Sequence, residues 1–120
     1  MASRRRKQAE RRGRWAETSA ALWLRLKGYK VLAHRVKFPV GEIDLVAKRG
    51  QTLAFIEVKQ RKTLLQAQTA VPISAWLRIS RAAEMWVSRD ARFYQLDWRY
   101  DLVTITPWAL PKHYKDYWRP

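Results

Sequence analysis

Apolar residues recur first at helical spacing and then at every second position. From Trp15 to Leu26, the residues Trp15, Ala16, Leu22, Trp23 and Leu26 share one broad face, which predicts a helix stopped by Gly28. Tyr29 to Val36 alternates weakly, with polar interruptions at His34 and Arg35, and reads as a strand. Phe38-Pro39-Val40-Gly41 is a bend. Glu42 to Ala47 and Thr52 to Lys59 are the clearest strands, separated by a turn containing Gly50. Alternation in the first sets Ile43, Leu45 and Ala47 against Glu42, Asp44 and Val46. In the second it sets Ala54, Ile56 and Val58 against Leu53, Phe55, Glu57 and Lys59. Arg61 to Pro72 reads as polar and irregular. Ser74 reads as the N-cap of a helix reaching about Arg89, with Trp76, Ile79, Ala83 and Trp86 on one stripe. Leu102 to Thr106 is a short strand ended by Pro107, and the tail from Trp108 to Pro120 alternates aromatic and basic residues.

Helix, three strands, helix, strand is the order of a small α/β sandwich, a mixed central sheet with flanking helices. The first three strands can join through short hairpins. The last must return by way of the second helix, so it lies parallel to the strand before that helix. A chain of 120 residues, 48% of them hydrophobic, supports one packed domain. The expected organisation is a basic N-terminal arm over residues 1–12 and a single domain over 13–120.

Charge changes the picture more than size does. Twenty-five Lys and Arg against ten Asp and Glu give a formal net charge of +15, which points to a polyanionic partner, nucleic acid first and anionic membrane second, because neutralised phosphates release counterions. The run Arg4, Arg5, Arg6, Lys7, Arg11, Arg12 and Arg14 is a candidate phosphate-contacting arm, and Arg61 and Lys62 follow the second clear strand. Cysteine is absent, so thiolate zinc sites and disulfides are excluded. Neither a membrane span nor the apolar core of a secretory signal is present in the sequence, and Glu10 with few serines argues against a mitochondrial presequence. A cytoplasmic location with no membrane partner is the expectation.

The chemistry concentrates in Gly41-Glu42-Ile43-Asp44-Leu45-Val46 and Phe55-Ile56-Glu57-Val58-Lys59. Carboxylates are depleted inside apolar strands, yet here they occur in both, spaced so that charges share a face. If Gly50-Gln51 is a two-residue type II′ loop, Arg49 faces Thr52, Asp44 falls opposite Glu57, and Glu42 falls opposite Lys59. A four-residue loop makes Asp44 a diagonal neighbour of Glu57 instead. Either register keeps the four charges together. Opposed carboxylates repel, and a divalent cation removes the conflict. Oxygen ligands without Cys or paired His suit Mg²⁺ or Mn²⁺. Asp44, Glu57 and Glu42 are the candidate ligands, with Lys59 placed to orient water or stabilise negative charge. An ordinary cross-strand ion-pair ladder is the plain alternative.

The segments Gly13 to Glu17, Gly41 to Gly50, Leu53 to Lys62 and Tyr100 to Ile105 resemble the YraN-like family of small bacterial proteins. That family is similar to archaeal Holliday-junction resolvases, within the P-D…(D/E)-x-K nuclease superfamily. The resemblance implies a restriction-endonuclease-like fold and a magnesium-dependent endonuclease acting on DNA, on branched or damaged structures. It assigns catalytic roles to Asp44, Glu57 and Lys59 and matches Glu17 to a first-helix glutamate of the resolvase branch. Ile43 stands where the superfamily motif has proline. Two rivals are a DNA-binding module of the same fold that does not cut, and a basic protein of RNA or the ribosome. For Glu17, a helical pair with Arg14 or Arg25 is the plain reading. His34 and His113 lack partners at metal-ligand spacing, and Trp15, Trp23, Trp76 and Trp86 read mostly as core. Trp108, Tyr114, Tyr117 and Trp118 could stack on unpaired bases, with packing over a sheet edge the stronger reading. Exposed aromatic residues could also serve a homodimer interface.

Overall fold

A computed structural model describes the backbone from Ala2 to Pro120 and side chains from Gly13 onward. The order is α1 (Ala2–Leu26), β1 (Lys30–Phe38), β2 (Gly41–Arg49), β3 (Thr52–Gln60), α2 (Leu64–Gln68), α3 (Ile73–Val87), a 3-10 turn (Ala91–Gln95), β4 (Asp97–Ile105) and β5 (Lys112–Trp118). The strands form one mixed sheet in the order β1-β2-β3-β4-β5. Only β3 and β4 pair in parallel, as the helical return between them requires. Among the described residues no helix is long and apolar enough to cross a membrane.

Each face of the sheet carries its own core. Ala16, Ala20, Ala21 and Leu24 of α1 cover Leu45, Ala47, Ala54, Ile56, Val58, Val103 and Ile105. On the other face Trp76, Ile79, Ala82, Ala83 and Val87 of α3 cover Ile43, Val46, Leu53, Phe55, Tyr100 and Leu102. The α1 contact differs from the face read in the sequence. Trp15, Leu22 and Leu26 are exposed, and three alanines with Leu24 face the sheet. Small side chains let the helix axis approach the strands closely, and that approach outweighs the bulk of the larger apolar residues. Helix α1 also runs unbroken through the boundary expected after residue 12.

Local signals set several ends. Gly28, at φ 90°, closes α1: Tyr29 N–H donates to the Leu24 carbonyl and Gly28 N–H to that of Arg25, both at 3.0 Å. Gly50 has φ 59° while Gln51 stays outside the left-handed region, as a type II′ loop demands. Four expectations need correction. The segment Arg61 to Pro72 contains α2, capped by Thr63 accepting from Gln66 N–H at 3.2 Å; Thr63-x-x-Gln66 is a capping-box spacing. Helix α3 begins at Ile73 after Pro72 at the N-cap, so Ser74 lies inside it. The tail forms β5 on the sheet edge, and β4 starts at Asp97, well before Leu102.

Alternation in β2 slips once. Ile43 joins Val46 in the α3-side core, three positions away, instead of sharing the face of Leu45 and Ala47. The partner strand slips with it. Val36 pairs with Ile43 and Ala33 with Val46, both pack on the α3 side, and Arg35 between them takes left-handed backbone at φ 50°. This paired irregularity lies beside Asp44.

Candidate functional site

The Gly50-Gln51 turn sets the register in which Arg49 faces Thr52, Ala47 faces Ala54 and Leu45 faces Ile56. The next pair in that series is Asp44 with Glu57, and there the ladder between β2 and β3 stops. Asp44 Oδ2 instead accepts the Val58 N–H at 2.8 Å. A side chain thus takes a donor on the strand edge that pairing would otherwise use, and the bond fixes the carboxylate at the mouth of the opened hairpin.

Asp44, Glu57 and Lys59 line an open cleft of about 780 Å³ together with Glu17 from α1 and Gln66 from α2. Lys59 Nζ lies 3.1 Å from Glu57 Oε1. Glu17 Oε2 accepts from Arg35 Nε at 2.5 Å, so β1 supplies a partner for this helix carboxylate. Burial first, and the neighbouring Glu57 carboxylate second, push Asp44 up to about 8, against the Val58 N–H and Lys59, which favour its charged form. Glu57 is also raised, chiefly by burial, with Lys59 opposing. Glu17 adds negative charge to both. Two half-buried carboxylates sharing one site cannot comfortably both ionise, and they hold a proton where a cation could stand.

The donor chemistry fits Mg²⁺ or Mn²⁺ in one specific way. Among the described residues no three His, Cys, Asp or Glu side chains converge into a complete cage. A pair of carboxylates opening on a solvent-filled cleft is what a cation keeping several waters, and taking a substrate oxygen, requires.

The structure gathers some sequence candidates and leaves others apart. Asp44, Glu57, Lys59 and Glu17 meet in the cleft, and the exposed Arg61 and Lys62 also line it. Glu42 is exposed and does not line it. The expected four-charge face is therefore reduced, because β2 and β3 part before Glu42 can face Lys59. Arg14 is exposed outside the cleft lining. The side chains of Arg4, Arg5, Arg6, Arg11 and Arg12 lie outside the described residues. Two contributors had been overlooked. Arg35 interrupts the polar-apolar alternation of its strand, and Gln66 follows Thr63 at capping-box spacing; both signals stand in the sequence.

A second ionic cluster lies behind β4. Asp101, fully buried, accepts from Arg99 Nε and Nη2 at 2.8 Å each, and from the Asp116 N–H at 2.8 Å. His113 Nε2 lies 2.7 Å from Asp101 Oδ2, so this histidine is a partner of Asp101 in the interior, with its buried Nδ1 left without a hydrogen-bond partner among the described residues. Arg99 also donates to the Tyr29 hydroxyl at 2.7 Å.

A family model described as Uncharacterised protein family UPF0102 matches residues 16–105. The chain belongs to UPF0102. Its matched span runs from the buried face of α1 to the end of β4, so it includes every acidic residue of the cleft. A UPF0102 protein of Chelativorans sp. strain BNC1 is 50% identical over 90% of this chain and 87% of its own length. One from Maricaulis maris strain MCS10 is 47% identical over 98% and 93%. A third, from Rhizobium meliloti strain 1021, is 46% identical over 93% and 92%.

Proposed function

We propose that this UPF0102 protein is a metal-dependent endonuclease of restriction-endonuclease-like fold, related to the resolvase branch of that superfamily, which hydrolyses phosphodiester bonds in DNA. One observation carries the reading: Asp44 and Glu57 lie half-buried side by side at the point where a hairpin opens, both raised chiefly by loss of solvent, in a cleft also lined by Lys59, Arg61 and Lys62. A purely structural carboxylate pair would have its charge met by its surroundings, and here Lys59 and the Val58 N–H meet it only in part.

Asp44 and Glu57 are the residues that would hold Mg²⁺ or Mn²⁺. Such an ion supplies an activated water and neutralises charge on the phosphate oxygens. The chain's own groups do the positioning. The Val58 N–H holds Asp44 in one orientation. Glu57 tethers the Lys59 ammonium at the cleft, where it orients the incoming water and stabilises negative charge on phosphorus-bound oxygen. Glu17, braced by Arg35, adds a third carboxylate that can accept a hydrogen bond from water. Arg61 and Lys62 attract the phosphate backbone.

The test is a panel of single-stranded, duplex, flapped and four-way DNA incubated with Mg²⁺, Mn²⁺ or EDTA. Wild type should cut at least one of these with metal. Asp44→Asn, Glu57→Gln and Lys59→Ala should each lower cleavage by roughly a hundredfold or more. In EDTA the first two should bind DNA as well as wild type at neutral pH, and better above about pH 8, where Asp44 ionises and its repulsion with phosphate is relieved by substitution, and Lys59→Ala should bind equally or more weakly. Equal cleavage by Asp44→Asn or Glu57→Gln overturns the site. Pure wild type that cuts nothing under any metal puts the non-cutting DNA-binding module in its place.

A further inference from the structure

Beside the acidic cleft runs a second groove, of about 670 Å³, which shares Gln60 and Pro107 with it. Its walls are Trp15 from α1 and the loop after β4 that carries Trp108, Leu110 and Pro111. Trp15 is 62% exposed and Trp108 wholly exposed, with Leu110 beside them also exposed. Single exposed apolar residues are ordinary; two tryptophans and a leucine around one groove are not. The loop adds a second sign. Trp108 follows Pro107 in a turn and adopts φ 63°, a conformation that favours Gly or Asn and strains an aromatic residue. The strain leaves the indole in solvent, against no core.

We infer that this groove seats unpaired nucleobases, so that the substrate carries a single-stranded stretch next to the phosphate held in the cleft. The inference rests on reading that cleft as a nucleic-acid site, and it names the class of nucleic acid. The chemistry of the two compartments is complementary. The groove is lined mainly by apolar and aromatic groups that suit the faces of bases, and the adjoining cleft has Arg61 and Lys62 for phosphates. A nucleotide chain crossing Gln60 and Pro107 would meet both, stacking its bases on indole while its backbone follows the cations. In an intact duplex the bases are already stacked on one another and offer no free face.

The test measures affinity in EDTA, by anisotropy, for a labelled short oligothymidylate, a blunt duplex, and the same duplex with a single-stranded overhang. Trp108→Ala should weaken oligothymidylate and overhang binding roughly tenfold and leave the blunt duplex within about twofold. Trp108→Tyr should restore most of the loss, because a stacking face returns. Trp15→Ala should act in the same direction. Unchanged oligothymidylate affinity in Trp108→Ala, or an equal loss on blunt duplex, overturns the inference. So does a wild-type dimer in light scattering that Trp108→Ala converts to monomer, since the groove would then be covered by a second copy. Wild type that binds oligothymidylate through Trp108 yet cuts no DNA defeats the nuclease reading alone. Wild type that cuts while Trp108→Ala binds normally defeats this one alone.

Discussion

Two aspartates on strands of the same sheet, the half-buried Asp44 on β2 and the fully buried Asp101 on β4, have opposite fates. Burial raises both. At Asp101 it is outweighed by His113, Arg99 and the Asp116 N–H, and the carboxyl is held below its usual range. At Asp44 the Val58 N–H and Lys59 do not suffice against burial, Glu57 and Glu17, and the carboxyl is pushed up to about 8. Asp101 lies in an enclosed network that ties β4 to β5 and, through Arg99 and Tyr29, to the end of α1. Asp44 opens on solvent. The difference teaches how to separate a carboxylate that holds a fold together from one available to a ligand: the first has its charge met inside the protein, and the second does not.

The largest effect expected from breaking this contrast is at Asp101. Asp101→Ala removes the acceptor of the Arg99 guanidinium, the His113 ring and a backbone N–H, and leaves a half-buried cation without its counter-charge. It should cost about 3–5 kcal/mol in urea unfolding, whereas Asp44→Asn should leave stability at neutral pH equal or higher. A comparable loss in both variants would erase the distinction.

The next effect is a pH dependence of opposite sign in the two places. Asp101, lowered in the folded state, adds stability above its unfolded value near 3.8, and that contribution is lost as pH falls. Asp44 keeps its proton in the folded protein to about pH 8 and loses it near 3.8 when unfolded. The folded state therefore binds more protons between these values, and metal-free stability falls as pH rises from about 4 to about 8. Thermal melts of wild type and Asp44→Asn across this window should diverge, the variant gaining at least about 4 °C relative to wild type at pH 8. Mn²⁺ should narrow the gap by stabilising wild type in place of the proton. Parallel melting curves would show that Asp44 ionises freely.

The smallest effect is expected at Glu42, the acidic residue of the hairpin left outside the cleft. Glu42→Gln should change stability by no more than about 0.5 kcal/mol and leave metal-dependent melting shifts as in wild type. A lost Mn²⁺ response in this variant would bring Glu42 back as a ligand.

Much of the sheet was readable because its instructions are local. The Gly50 turn fixes hairpin register, alternation gives the faces of β3, and the length of chain between β3 and β4 makes their pairing parallel. The buried face of α1 was misread because Trp15, Leu22 and Leu26 look like core on any scale of hydrophobicity. Which side of a helix is covered depends on what packs there, and the sheet accepts Ala16, Ala20 and Ala21 at close range. The edge strand β5 was hidden by its composition. Its Tyr114 and Trp118 serve the α3-side core, with Trp118 stacked on Trp76 at 5.9 Å, while Lys112 and Lys115 face water.

For the site, the sequence by itself determined that Asp44, Glu57 and Lys59 would come together, because two adjacent strands and a two-residue turn leave few alternatives. Only the tertiary structure decided that Glu17 would be braced by Arg35, that Glu42 would be left out, and that Asp101 would find His113. Those outcomes depend on residues distant in sequence and on where a strand pair slips and opens. Such contacts follow from the packing of whole layers, and no local pattern of residues encodes them.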